Sequence, residues 1–243
     1  MVPILTAPEG DRGRRITSHG LAQCHLMRAA AEVTPAFRRV MAATAPAVRR
    51  WGRLEVSGLE HLPPSGPVLL AGNHDSWWDP IVIGSAAVER RQIQALAKAS
   101  LWKYGPVGRV LDGMGQIPID RGKGDLGALE RAIEELRNGA CIGIFLEGTR
   151  SRGRELRARS GFGRIAQEVP QAEIVLCTVR GTTDLIRFPR RPQLRVRFFR
   201  PAGGGLQPGE HPSAFGARLL AEIRAEAPRA AYGRRPRPAE ASE

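Results

Sequence analysis

The chain has 243 residues, 42% of them hydrophobic and 25% charged, which is room for one domain with a sizeable core. Lys and Arg number 37 against 24 Asp and Glu, a net charge of +13, and such a surface favours a polyanionic partner: nucleic acid, an anionic bilayer or a phosphorylated substrate. Three scattered cysteines (Cys24, Cys141, Cys177) in no zinc or disulfide pattern point to structural thiols in a reducing compartment, and the lack of a signal-like or ~18-residue apolar run argues against export and against a spanning helix.

Residues 1–16 are polar and basic and read as a disordered tail. Residues 17–52 read as two amphipathic helices divided at Thr34-Pro35, with Thr34 as N-cap and Pro35 in the first turn. In the second, Phe37, Val40, Met41, Val48 and Trp51 recur at helical spacing among arginines, and Pro46 predicts a kink or break. This stripe suits a bilayer interface, and it equally suits packing on a core with the arginines solvated. From residue 53 short apolar runs alternate with helical ones. Strands are expected at 53–57, 67–72, 92–97, 115–119, 141–146, 173–179 and 193–199, and helices at 80–88, 125–137, 161–168 and 213–226. The alternation predicts an α/β domain over 53–226, a mixed, largely parallel sheet flanked by helices, with the N-terminal helical segment serving membrane association. Residues 227–243, rich in Pro, Arg and Ala, read as a second disordered tail.

Three stretches carry chemistry. The first, Gly72-Asn73-His74-Asp75-Ser76-Trp77-Trp78-Asp79-Pro80, ends a strand and begins a helix. Either Ser76 and Asp79 form a capping box, or Asp79 is itself the N-cap with Pro80 at N1. Both place His74 at the carboxyl end of a strand, where α/β folds hold their sites. An imidazole there can take a hydroxyl proton, and a carboxylate across the turn can orient it. Alone, the His-x4-Asp spacing is also that of a loop histidine beside a helix cap. The second stretch, Ile117-Pro118-Ile119-Asp120-Arg121, puts an arginine at a strand end beside glycines, where it can hold a phosphate or simply pair with Asp120. The third, Phe145-Leu146-Glu147-Gly148-Thr149-Arg150-Ser151, drives an apolar strand into an acid, a glycine, a hydroxyl and an arginine. Buried strands rarely end so densely in polar groups without a site to serve. The histidines His19, His25, His61 and His211 form no ligand spacing, so no metal is expected.

In this order and spacing the three stretches resemble the glycerolipid acyltransferase family, which includes bacterial 1-acylglycerol-3-phosphate acyltransferases. Its Asn-His-x4-Asp motif is matched by Asn73, His74 and Asp79, its apolar-Asp-Arg step by Ile119 to Arg121, and its Phe-Pro-Glu-Gly-Thr-Arg-Ser motif by Phe145 and Glu147 to Ser151. The resemblance covers about residues 54–200. It implies a single-step acyl transfer from acyl-CoA or acyl-carrier protein to the hydroxyl of a lysophospholipid, 1-acyl-sn-glycerol-3-phosphate being the family's usual acceptor, with phosphatidic acid as product. His74 and Asp79 would be the catalytic pair. Asn73, Arg121, Glu147, Gly148, Thr149, Arg150 and Arg159 would bind substrate. No cofactor is implied beyond the thioester co-substrate, and the place of action is the cytoplasmic face of the membrane, as a peripheral protein. The chain departs from the family at Leu146, where proline is usual, at Thr178, also a proline position, and at Arg159, where lysine is usual.

Other readings are an acyltransferase acting on a different lipid hydroxyl and a non-catalytic membrane-binding relative. The intact His74 and Asp79 speak against the second. A nucleic-acid binder would explain the charge, but aromatic residues are 5% of the chain and no stacking motif is present, so no nucleic-acid partner is expected. The strand around Arg195 and Arg197 offers arginines on one face, for a headgroup or for solvent.

Overall fold

The structure is a computed structural model that describes residues 33–120, 124–185, 189 and 191–230. The first tail, the first N-terminal helix, Arg121 with its two neighbours, and residues 231–243 lie outside that set.

The described chain begins with helix α1 (Pro35–Ala45). Thr34 caps it as expected, its Oγ1 accepting from the Phe37 N–H at 3.3 Å, with Pro35 in the first turn. At Pro46, which has no N–H to give, the α-helix passes into a π-helical turn over Pro46–Trp51. The predicted break is therefore a change of helix type. The apolar stripe is used inside the protein. Phe37 and Met41 are buried and pack with Met114, while Val48 joins the main core. Arg38, Arg39 and Arg50 face solvent. Of the two uses the sequence left open for this stripe, the described helix serves the core.

Seven strands follow: β1 (Glu55–Ser57), β2 (Val68–Gly72), β3 (Gln94–Lys98), β4 (Ile117–Ile119), β5 (Cys141–Phe145), β6 (Glu173–Arg180) and β7 (Arg195–Phe199). Between them lie helices α2 (Asp79–Ala87), α3 (Gly105–Gly113), α4 (Leu126–Arg137) and α5 (Gly161–Glu168), and α6 (Pro212–Glu226) follows β7. The strands form one sheet in the order β1-β7-β6-β2-β5-β3-β4. The β6–β7 pairing is antiparallel and the others are parallel. This is the expected mixed, mostly parallel sheet flanked by helices.

β2 is buried at every position, as a short all-apolar run at the centre of a parallel sheet must be. Its residues alternate between two cores. Leu69 and Ala71 pack under α4, α5 and α6, whereas Val68 and Leu70 pack under α2 and the π-helical turn. α1 lies over α2, where Gly84 makes room: a Cβ there would come within 2.9 Å of the Met41 sulfur. The element the sequence reading passed over is α3. Its three glycines and Pro106 dilute the helical pattern, and Gly108 is seated closely against Trp102 of the preceding turn. The arginines of β7 meet acids: Arg195 pairs with Glu55 at 3.0 Å and Arg197 with Glu226 at 2.7 Å, both at the surface. Among the described residues no helix is long and apolar enough to cross a membrane.

Candidate active site

After β2 the chain runs to β3 and β4 on one side, returns to β5 beside β2, and then crosses to β6 on the other flank. The carboxyl end of β2 thus opens between its neighbours at a switch in strand order, where α/β sheets form a crevice. Residues 73–78 make the connection from β2 to α2 at this point.

Asn73 extends the sheet with its side chain. Its Oδ1 accepts from the Val179 N–H and its Nδ2 donates to the Val179 carbonyl, both at 2.9 Å, in place of a further ladder rung between β2 and β6. The second Nδ2 proton goes to Asp75 at 3.1 Å. With its amide so committed and no surface exposed, Asn73 shapes the turn. His74 follows, 5% exposed, its ring stacked on Phe145 with centroids 4.1 Å apart. Its Nδ1 lies 2.9 Å from Asp79 Oδ2. The expected approach of the two residues across a tight turn is present.

Asp79 is the first residue of α2 and has no exposed surface. Its Oδ2 also accepts the N–H of Asp75 at 2.6 Å and of Ser76 at 2.7 Å, while Oδ1 accepts the Thr182 hydroxyl at 2.5 Å. Ser76 Oγ in turn accepts from the Trp78 N–H at 3.3 Å. Only half of the expected capping box is therefore present: Asp79 takes the Ser76 N–H, but the Ser76 hydroxyl accepts from Trp78, and Trp78 rather than Ser76 or Asp79 is the N-cap. Four donors hold the carboxylate still. A carboxylate so placed favours the tautomer with its proton on Nδ1 and a lone pair on Nε2.

The end of β5 supplies the other wall. Leu146 N–H donates to the Gly72 carbonyl at 3.3 Å, a bond the usual proline would lack. Glu147 is buried, and its Oε2 accepts the backbone N–H of His74 at 3.1 Å. Gly148 turns with φ +69, in the left-handed region, closely against the Arg159 side chain, whose Cγ a Cβ would meet at 3.0 Å. Thr149 and Arg159 are exposed, and Arg150 is half-buried with its guanidinium 3.9 Å over the exposed Trp77 ring. Ser151 N–H donates to the His74 carbonyl at 2.7 Å. Four of the expected substrate-binding residues (Gly148, Thr149, Arg150, Arg159) therefore flank the crevice, and Arg121 lies outside the described residues.

Glu147 has further partners. Arg224 of α6 grips it through Nε and Nη2 at 2.7–3.1 Å. The same guanidinium takes Asp75 in a fork, Nη1 and Nη2 each at 2.9 Å from a carboxylate oxygen. Asp75 also bonds the buried Ser151 hydroxyl. Glu147 thus belongs to a buried ion cluster and offers no free edge to a headgroup. Burial opposes the charge of Asp75, but Arg224, Ser151 and Asn73 outweigh it and hold its carboxyl below the ordinary range. Burial likewise opposes the charge of Arg224, and the two carboxylates more than restore it.

Thr182 and Arg224 were not singled out in the sequence, and Asp75 and Ser151 stood in the motif stretches without a role. The one available signal for Arg224 is a basic residue directly after Ile223 on the apolar stripe of α6. Among the described residues no group of His, Cys, Asp and Glu is arranged to hold a metal. Burial pushes the Cys141 thiol up to about 11 and that of Cys177 further, so neither is a poised thiolate.

A buried histidine bonded to a carboxylate at the carboxyl edge of a mostly parallel sheet is an arrangement that suits general-base chemistry in an α/β protein. The chain belongs to the family described as Acyltransferase, whose profile matches residues 53–180. It is 29% identical over 133 residues to the 1-acyl-sn-glycerol-3-phosphate acyltransferase of Bacillus subtilis, covering 55% of this chain and 65% of that one. It is 37% identical over 108 residues to the Borreliella burgdorferi protein of the same name, covering 43% and 42%. The aligned regions thus span less than two thirds of either relative. The crystal structure of the 1-acyl-sn-glycerophosphate acyltransferase of Thermotoga maritima shares the fold, with a TM-score of 0.55 at 20% identity over 88% of this chain and 86% of that one.

Proposed function

We propose that the protein transfers a fatty acyl group from acyl-CoA or acyl-carrier protein to the hydroxyl of a lysophospholipid, with 1-acyl-sn-glycerol-3-phosphate as acceptor and phosphatidic acid as product. The observation that carries this reading is the buried His74–Asp79 pair, its carboxylate held by four donors. His74 Nε2 removes the acceptor hydroxyl's proton as that oxygen attacks the thioester carbonyl. The C–S bond then breaks and the leaving thiolate takes the proton back from the imidazolium. Asp79 stabilises the imidazolium while it exists. No enzyme nucleophile is required. Arg150 and Arg159 offer the positive charge for the acceptor's phosphate, with Arg121 as a third cation; Gly148 and Thr149 shape the turn beside the first two. We place the reaction at an anionic membrane surface on the cytoplasmic face, reached peripherally, because the acceptor is a lipid and the chain carries +13.

The test incubates purified protein with acyl-CoA or acyl-carrier protein and a panel of lyso-acceptors, following thiol release and lipid product. His74→Ala is expected to lower the rate about 10²–10⁴-fold. Wild-type protein that acylates no acceptor would overturn the reading, and full activity in His74→Ala would remove His74 as the base.

A further inference from the structure

Arg224 lies beyond the 53–180 span that matches the family, yet it bonds directly to Glu147 and Asp75, which in turn bond the His74 backbone and Asp79. Through Glu147 it reaches the His74 backbone N–H. Through Asp75 it fixes the residue whose own N–H donates to Asp79 Oδ2. One guanidinium thus joins the loop after β2, the loop after β5 and the last turn of α6, where Nη1 also donates to the Ala227 carbonyl at 3.3 Å. A buried ion cluster is often no more stabilising than apolar packing of the same volume, so stability alone does not account for three charges here. A planar fork does account for them. Only arginine presents its donors in fixed directions to two carboxylates at once, and an ammonium cannot.

We infer that Arg224 is a positioning residue for acyl transfer: it clamps Asp75 and Glu147, and through them sets the His74 backbone and the carboxylate that orients its ring. The inference rests on the acyl-transfer reading above. It makes the C-terminal helix part of the working unit, since the clamp is lost without it. Arg224 touches no reacting atom in this arrangement, so its removal acts on kcat and leaves substrate affinity in place.

The principal test is Arg224→Lys in the full chain, which keeps the charge and removes the fork. Melting temperature, kcat and KM for both substrates are measured, with the His74 imidazole ¹⁵N signals, identified by their loss in His74→Ala. The expected result is a protein that melts near wild type, kcat lower by roughly tenfold or more, KM within about twofold, and displaced His74 signals. Wild-type kcat with unmoved His74 signals overturns the inference, as does a raised KM at unchanged kcat, which would make Arg224 a substrate contact. Should the lysine variant not fold, Glu147→Gln is read by the same measurements: lowered kcat and displaced signals support the clamp, and their absence overturns it. If wild type acylates nothing, the acyl-transfer reading falls, while displacement of the His74 signals still decides whether Arg224 sets the histidine.

Discussion

His74 depends on atoms that are close in sequence and on atoms that are far from it. Asp79 lies five residues away, and the turn alone brings the two together. Replacing Asp79 with Asn leaves the shape but presents an amide that can hold the wrong tautomer. A kcat loss of about 10²–10⁴-fold is expected in steady-state assays, with melting changed far less than rate. An Asn variant as fast as wild type would mean that the ring is oriented by other means. Asp75 belongs to the acid side of the stability curve. Its folded carboxyl titrates below the ordinary ~3.9, so its contribution is present above that value and lost as pH falls through the lowered folded value. Stability measured by urea unfolding from pH 5 down to pH 2 is therefore expected to fall less steeply in Asp75→Asn than in wild type. Parallel curves would show that Asp75 does not carry this dependence. The local pair was legible in the sequence for the same reason that Arg224 was not. Arg224 stands 77 residues from Glu147 and 149 from Asp75, and no local pattern encodes such a meeting.

Among the elements, the approach of α5 to α6 holds the helical layer under the β5 loop. Gly163 makes it possible: a Cβ there would sit 2.3 Å from the backbone oxygen of Pro212. Backbone cannot swing aside as a side chain can, so Gly163→Ala is expected to cost about 1–3 kcal/mol in denaturant unfolding. Gly127→Ala in α4 is the matched control. Its nearest neighbour would be 3.7 Å away on an exposed helix face, and alanine there is expected to be neutral or to stabilise by up to about 1 kcal/mol. Equal effects at the two sites would remove close packing as the cause. Most strand and helix positions were readable, because β2, β5 and β6 are short apolar runs and α4 repeats apolar residues at helical spacing. α3 was not, because three glycines and a proline in nine residues dilute its helical pattern.

For the whole molecule, the charge of +13 and the proposed lipid acceptor meet in one measurement. Binding to vesicles containing anionic lipid is expected to weaken several-fold as salt rises from about 0.05 to 0.5 M, since screening shortens the reach of surface charge. Flotation of a chain lacking residues 1–32 then separates the N-terminal stretch from the rest. Deletion through residue 52 is the wrong comparison, because Phe37, Met41 and Val48 are core residues. Binding that neither salt nor the shorter deletion changes would detach the charge from membrane association.

The sequence by itself determined the α/β alternation, the strand ends that carry the polar motifs and the His74–Asp79 pairing, because each is set by contacts within a few residues or by periodicity along one element. Only the tertiary structure decided what surrounds that pair. It made Asn73 a bridge to β6, set Glu147 in an ion cluster, packed the α1 stripe on the core, and brought Arg224 under the histidine. Those outcomes follow from strand order and helix packing, which join residues through space at separations that local sequence does not record.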